Sequence, residues 1–200
     1  MSNRIIASIA AAAIGAAVVT GCSDDTSTPH TTHSSSATTG AASTQSDDAQ
    51  FNKADVMFAQ MMYPHHAQAV DMAAMVDGRT DNAEVVALAS AISAAQEPEM
   101  TQMAAWLESW DQPAPSEGMD GHTMDGGGMM SQEQMDSLLT LSGPEFDRQW
   151  LTMMIEHHSG AVEMAGTEIA DGSNADAQEL AREIVSSQQR EIDAMQKLLG

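Results

Sequence analysis

The stretch MMYPHHAQAVDM (61–72) returns 92 residues later as MMIEHHSGAVEM (153–164). Sliding the chain by that distance lays 52–107 on 144–199 without a gap and gives 18 identities in 56 positions. Ordinary residue usage would give roughly 4–6. The matches concentrate in Asp55/Asp147, Met61-Met62/Met153-Met154, His65-His66/His157-His158, Ala69-Val70/Ala161-Val162 and Met72-Ala73/Met164-Ala165. Further along come Asn82-Ala83/Asn174-Ala175, Gln96/Gln188, Glu99/Glu191 and Met103/Met195. A duplication of this size is two copies of one supersecondary unit, each with an apolar face to bury.

Each copy predicts a helical hairpin. Phe58, Met61, Met62, His65, Ala69, Met72 and Val76 recur at helical spacing, and the period-two alternation of a strand is missing. Asp77-Gly78 and Asp171-Gly172 are expected stops, and Asp81 or Asn82 and Ser173 or Asn174 are expected N-caps. Ser142 with Glu145 predicts a capping box. Pro64 and Pro98 should kink their helices, yet their counterparts are Glu156 and Arg190, so the unit does not require them. Four helices of about 20–28 residues bury themselves most simply as an all-α four-helix bundle built from two repeated hairpins. The segment DQPAPSEGMDGHTMDGGGMM (111–130) predicts a long loop between the hairpins, followed by a short helix from about 131 to 141.

Outside the repeats, residues 1–21 read as an export signal: Arg4, then the apolar run IIASIAAAAIGAAVV. Val19-Thr20-Gly21-Cys22 resembles the lipobox of bacterial lipoproteins, in which the cysteine carries the lipid; Cys22 is the one cysteine of the chain. Residues 22–50 are Ser/Thr/Ala-rich and predict a flexible tether, leaving 51–200 for the bundle. The expected location is the outer face of a cell membrane, anchored at Cys22. The formal net charge is −22, from 29 acids against 7 Lys and Arg. Such a chain repels nucleic-acid backbone and anionic membrane surface, and concentrates cations around itself.

The cations it suits follow from the residues repeated. At 100° per residue, with Met61 as origin, His65 lies at about 40° and Met72 at about 20°, one tight stripe; Met62 and His66 lie beside it at about 100° and 140°. His65, Met61 and Met72 of one repeat, and His157, Met153 and Met164 of the other, are the leading candidate ligands. His66, His158, Met62 and Met154 are the second rank, because adjacent histidines diverge too far to share an ion from one helix. On the partner helices Gln96, Glu99, Gln188 and Glu191 fall on the apolar stripe, where they suit the N–H groups of ligating histidines. Thioether with imidazole selects copper, Cu(I) ahead of Cu(II), over hard cations. The loop repeats that chemistry with Met119, His122, Met124, Met129 and Met130.

Two other readings compete with this one. Methionine at helical spacing is also ordinary core packing, and a Met-rich envelope protein with no metal would carry the same stripe. A ferritin-like redox enzyme would need Glu-x-x-His pairs, and Met62 and Met154 stand where those glutamates would be.

The doubled Met-Met-x-x-His-His-x-x-Ala-Val-x-Met signature resembles that of the family called domain of unknown function 305, over about 51–199. The resemblance implies a ferritin-like four-helix bundle, often exported, with some members implicated in binding copper. It implies a copper sink, buffer or chaperone rather than an established reaction, and a chaperone needs a metal-exchange partner protein. Gly160 stands where the first repeat has Gln68, so the two sites need not be equivalent. Either each hairpin holds an ion or the two motif helices share one.

Overall fold

The computed structural model describes residues 50–115 and 127–200. The expected export signal, Cys22, the tether through residue 49, and Met119, His122 and Met124 lie outside the described residues. The rest forms five helices and no strand among the described residues: α1 (Lys53–Ala74), α2 (Ala83–Ser109), α3 (Gln132–Leu139), α4 (Gly143–Asp171) and α5 (Ala175–Leu199). The four long helices are the expected bundle. α1 packs on α2 and α4 on α5, and the hairpins join along α1 and α4.

Short polar side chains start most of these helices. Asn52 caps α1 by accepting from Ala54 N (2.6 Å), and the Asp55 carboxylate takes back the Asn52 N–H. Asn82 and Asn174, equivalent in the repeat, cap α2 and α5. Ser131 and Gln134 close a capping box on α3. The box expected at Ser142 and Glu145 does not form, and Ser142 makes no side-chain cap. Gly143 takes φ +59°, which turns the chain before the first helical turn, and Pro144 has no N–H to be capped. α1 and α2 run unbroken through Pro64 and Pro98.

Capping also sets how the hairpins meet. Asp55 accepts from Ser173 N (3.0 Å) and Asn174 N (2.8 Å), so the start of α1 is tied to the turn between α4 and α5. The equivalent Asp147 accepts from Asn82 Nδ2 (3.2 Å) at the start of α2. α1 and α4 are therefore antiparallel, and a pseudo-twofold axis crosses their seam. Two apolar clusters flank that axis. One gathers Met72, Ile92, Phe146, Trp150, Met154 and Met195; the other gathers Phe58, Met62, Met103, Leu107, Leu180 and Ile184. The Trp150 indole N–H donates to the Met72 carbonyl (2.8 Å) and pins α4 against α1 in the first cluster. Phe51 stacks on Trp110 (centroids 4.8 Å apart) at the edge of the second.

One departure from the repeat adds a buried carboxyl group. Glu168, where the first repeat has Val76, is 1% exposed beside Asp55. Gly172 makes room for it, since a Cβ there would lie 2.2 Å from Glu168 Oε1. Burial, then the hydrogen bond and charge of Asp55, push the Glu168 carboxyl up to about 8. Burial also acts to raise Asp55, but the N–H groups of Asn52 and Asn174 outweigh it and its carboxyl is lowered. The proton of the pair therefore resides on Glu168.

A folded-state pKa above the unfolded value of 4.5 means the native chain binds the extra proton between those limits. Glu168 thus stabilises the fold below about pH 4.5 and costs stability as pH rises towards 8. Glu168→Gln should remove that loss, so its unfolding free energy should gain on the wild type from pH 5 to pH 8.5 in urea titrations. A difference independent of pH would show that the pair does not share a proton.

Candidate metal site

Between the two apolar clusters lies a polar layer. His65, His66, Gln96, His157, His158 and Gln188 are each at most 2% exposed. The α1–α4 seam brings the first histidine of each motif onto the axis: the His65 and His157 ring centroids are 3.7 Å apart, tilted by 37°. The second histidines point outward to the partner helices. His66 Nε2 donates to Glu99 Oε2 and His158 Nε2 donates to Glu191 Oε2, both at 2.7 Å. Of Gln96, Glu99, Gln188 and Glu191, the two glutamates hydrogen-bond a histidine, in each case the second of its pair.

A carboxylate accepts, so the Nε2 atoms of His66 and His158 carry the hydrogens of these bonds. His65 Nε2 meets the Gly127 carbonyl at 3.0 Å, with the same consequence. The Nδ1 atoms of all four histidines are buried without a hydrogen-bond partner, and so is His157 Nε2. The Gln96 amide and Gln188 Oε1 are also unpartnered. Protonation does not fill these vacancies at the axis. Burial first, then repulsion from neighbouring histidines, lowers His65 to about 3 and His157 well below 6.5. His65 and His157 therefore present neutral imidazole lone pairs, which is the state a metal ion requires.

Met62, Met72, Met153 and Met154 are buried, while Met61 and Met164 are half-buried. The expected order of Met61 over Met62 is thereby reversed in burial. α1 is flanked by α2 on one side and α4 on the other, so its buried arc, Phe58, Ala59, Met62, His65, His66 and Ala69, spans both stripes and leaves Met61 at its edge. Met61, Met62, Met153 and Met154 lie one turn from their histidines. Met72 and Met164 lie seven residues away, about 10 Å of helical rise, and Met72 sits at the level of Trp150. Among the described residues no three His, Asp, Glu or Cys side chains converge as a ligand set. Further donors to an ion at the imidazoles would be thioethers.

The loop divides. Met129 is 41% exposed, whereas Met130 is buried in the first apolar cluster. Met130 is therefore not on an open loop as expected, because its side chain fills the core. Gln68 Nε2 donates to Met130 O (2.8 Å) and Met130 N donates to Gln68 Oε1 (2.7 Å). The Gly127 carbonyl and Gln68 had no signal as site residues beyond the Gln68/Gly160 mismatch between the repeats.

Comparison with known proteins matches this fold. The model of the family described as Domain of unknown function (DUF305) covers residues 55–199. A DUF305 fragment from Deinococcus radiodurans is 38% identical with a TM-score of 0.69, covering 74% of this chain and 97% of that one. A putative secreted DUF305 protein from Streptomyces coelicolor is 38% identical with a TM-score of 0.66, covering 73% and 91%. CopM in its Cu(II)-bound form is 32% identical with a TM-score of 0.64, covering 72% and 95%; CopM is also known in Cu(I)-bound, silver-bound and apo forms. No curated protein matches the chain.

Removing the Glu99 carboxylate leaves the buried His66 N–H without an acceptor. Glu99→Ala should cost roughly 1–3 kcal/mol of stability at pH 7, and Glu191→Ala a similar amount, read by urea denaturation. A change within about 0.5 kcal/mol, the range of an indifferent surface substitution, would mean these glutamates do not hold the histidines.

Proposed function

The chain belongs to the DUF305 family, and from that premise we propose that it is an extracytoplasmic copper-binding lipoprotein that buffers, sequesters or hands on the ion. One observation carries the reading: the buried, neutral His65 and His157 meet at the α1–α4 seam with ring centroids 3.7 Å apart, and the Nδ1 of each has no hydrogen-bond partner. Buried polar atoms without partners cost stability, and a cation bound there supplies the missing partner. In this reading His65 and His157 hold the ion at the α1–α4 seam, shared between hairpins. Met61, Met62, Met153 and Met154 are the thioethers within one turn. His66 and His158 flank the pair, oriented by Glu99 and Glu191; Gln96 and Gln188 complete the layer.

Softness supports copper. Imidazole and thioether without thiolate favour Cu(I), and the −22 net charge raises the local concentration of any cation. CopM, known with both copper oxidation states and with silver, supports the same class of cargo for this chain. The lipobox-like Val19-Thr20-Gly21-Cys22 supports anchorage at the outer membrane face. There the ion would pass to or from a metal-exchange partner protein. Neither a catalytic step nor nucleic-acid binding belongs to the proposal.

Cu(I) titration against a colorimetric chelator tests it. His65→Ala/His157→Ala should weaken binding by more than the roughly 100-fold that loss of an orienting partner costs. Cu(I) at 100 times its Kd should stabilise the wild type by about 2.7 kcal/mol and raise its melting temperature. Unchanged stoichiometry and affinity in the double variant would sink the proposal.

A further inference from the structure

The two positions at which the His-Met motifs differ most in kind, Gln68 and Gly160, meet the same short segment from opposite helices. Gln68 on α1 grips the Met130 backbone through both its amide N–H and its carbonyl, at 2.8 and 2.7 Å. Gly160 on α4 lets that segment approach: a Cβ there would lie 2.0 Å from Gly127 O and 2.8 Å from Gly128 N. Gly128 completes the crossing with φ +73°, where a Cβ would fall 2.6 Å from the Glu156 carbonyl. The segment Gly127–Met130 is thus a strap drawn tight across α4 and fastened to α1. Its Gly127 carbonyl faces His65 Nε2 at 3.0 Å.

We propose that this strap fixes the tautomer of His65 and makes the two central histidines inequivalent as ligands, with Gln68 and Gly160 as its positioning residues. The proposal rests on the metal-binding reading above. A carbonyl oxygen only accepts, so His65 Nε2 keeps its hydrogen and Nδ1 is the one atom His65 can offer a metal. His157, its counterpart across the axis, makes no well-aligned hydrogen bond at either nitrogen, the His65 backbone carbonyl beside it being too poorly placed to fix a tautomer, and can offer Nδ1 or Nε2. His65 is then the fixed ligand and His157 the adaptable one, the side on which an ion is exchanged. Glu99 and Glu191 do for the outer histidines what the strap does for His65. The strap does it for one member of the central pair because the repeat supplies a gripping glutamine on one helix and a glycine on the other.

The test has two readouts on the full chain. Long-range proton–nitrogen correlation on the metal-free, histidine-labelled protein should show wild-type His65 with hydrogen on Nε2 and a bare Nδ1. In Gln68→Ala, and separately in Gly160→Ala, His65 should shift to a mixture of tautomers while His66 and His158 keep theirs. Gln68 is half-buried, so its truncation opens no cavity in the core, and Ala is intrinsically better than Gly within α4. Cu(I) should also pass to an excess of chelator about 10-fold faster from either variant, the lower end of the effect of losing an orienting partner. A wild-type His65 with hydrogen on Nδ1, or a His65 tautomer unchanged in both variants, would overturn the inference. Failure of the copper reading itself would show separately, as a wild type that takes up no Cu(I) while the tautomers remain readable.

Discussion

Imidazoles in ring contact inside a protein cannot both carry charge. At the 3.7 Å separating His65 from His157, two unit charges repel by about 4 kcal/mol even at an effective dielectric of 20. Desolvation adds to that cost. The pair is held neutral, and a neutral imidazole needs a donor for its lone pair. Each neighbour in the layer answers to this constraint. Glu99 and Glu191 draw the N–H of the outer histidines towards the bundle edge, where their side chains are 17% and 18% exposed and stay hydrated. Gly127 draws that of His65.

Such a layer survives because the two apolar clusters on either side of it supply the burial that holds the helices together. Trp150, Phe146 and Met154 lock one end, and Leu107, Leu180 and Ile184 the other, so the polar middle need not contribute net stability. In the proposed site the His65 tautomer is chosen before an ion arrives, while that of His157 is left open. Pre-organisation of that kind favours affinity by removing the ordering cost of binding.

Much of this was legible in the sequence because it repeats. The 92-residue period exposed both hairpins, and helical spacing placed the histidines inward and the glutamates beside them. The caps of α2 and α5 were readable to within one residue, Asp81 or Asn82 and Ser173 or Asn174, and the asparagines take the role. What escaped depended on contacts between segments remote in the chain. Periodicity within α1 could not say that α2 and α4 would bury it from two sides, which is why Met62 lies deeper than Met61. Glu168 carried no signal in the sequence, since its partner Asp55 stands more than a hundred residues earlier. A capping box at Ser142 fails through the φ of the next residue, which no composition rule reports. Met130 looked like loop until the strap carried it into the core.

The mismatch of Gln68 with Gly160 also bears on how such a protein could arise. A hairpin that paired with a copy of itself about a twofold axis would already assemble the His65–His157 contact, the two carboxylate partners and both apolar clusters. Symmetry would then require the same residue at both positions, two glutamines or two glycines. A strap needs one of each. Two copies joined in one chain are free to differ at these positions, as Gln68 and Gly160 do. The single chain thus gives the two sides of a pseudo-twofold centre different residues, which an exact twofold axis forbids.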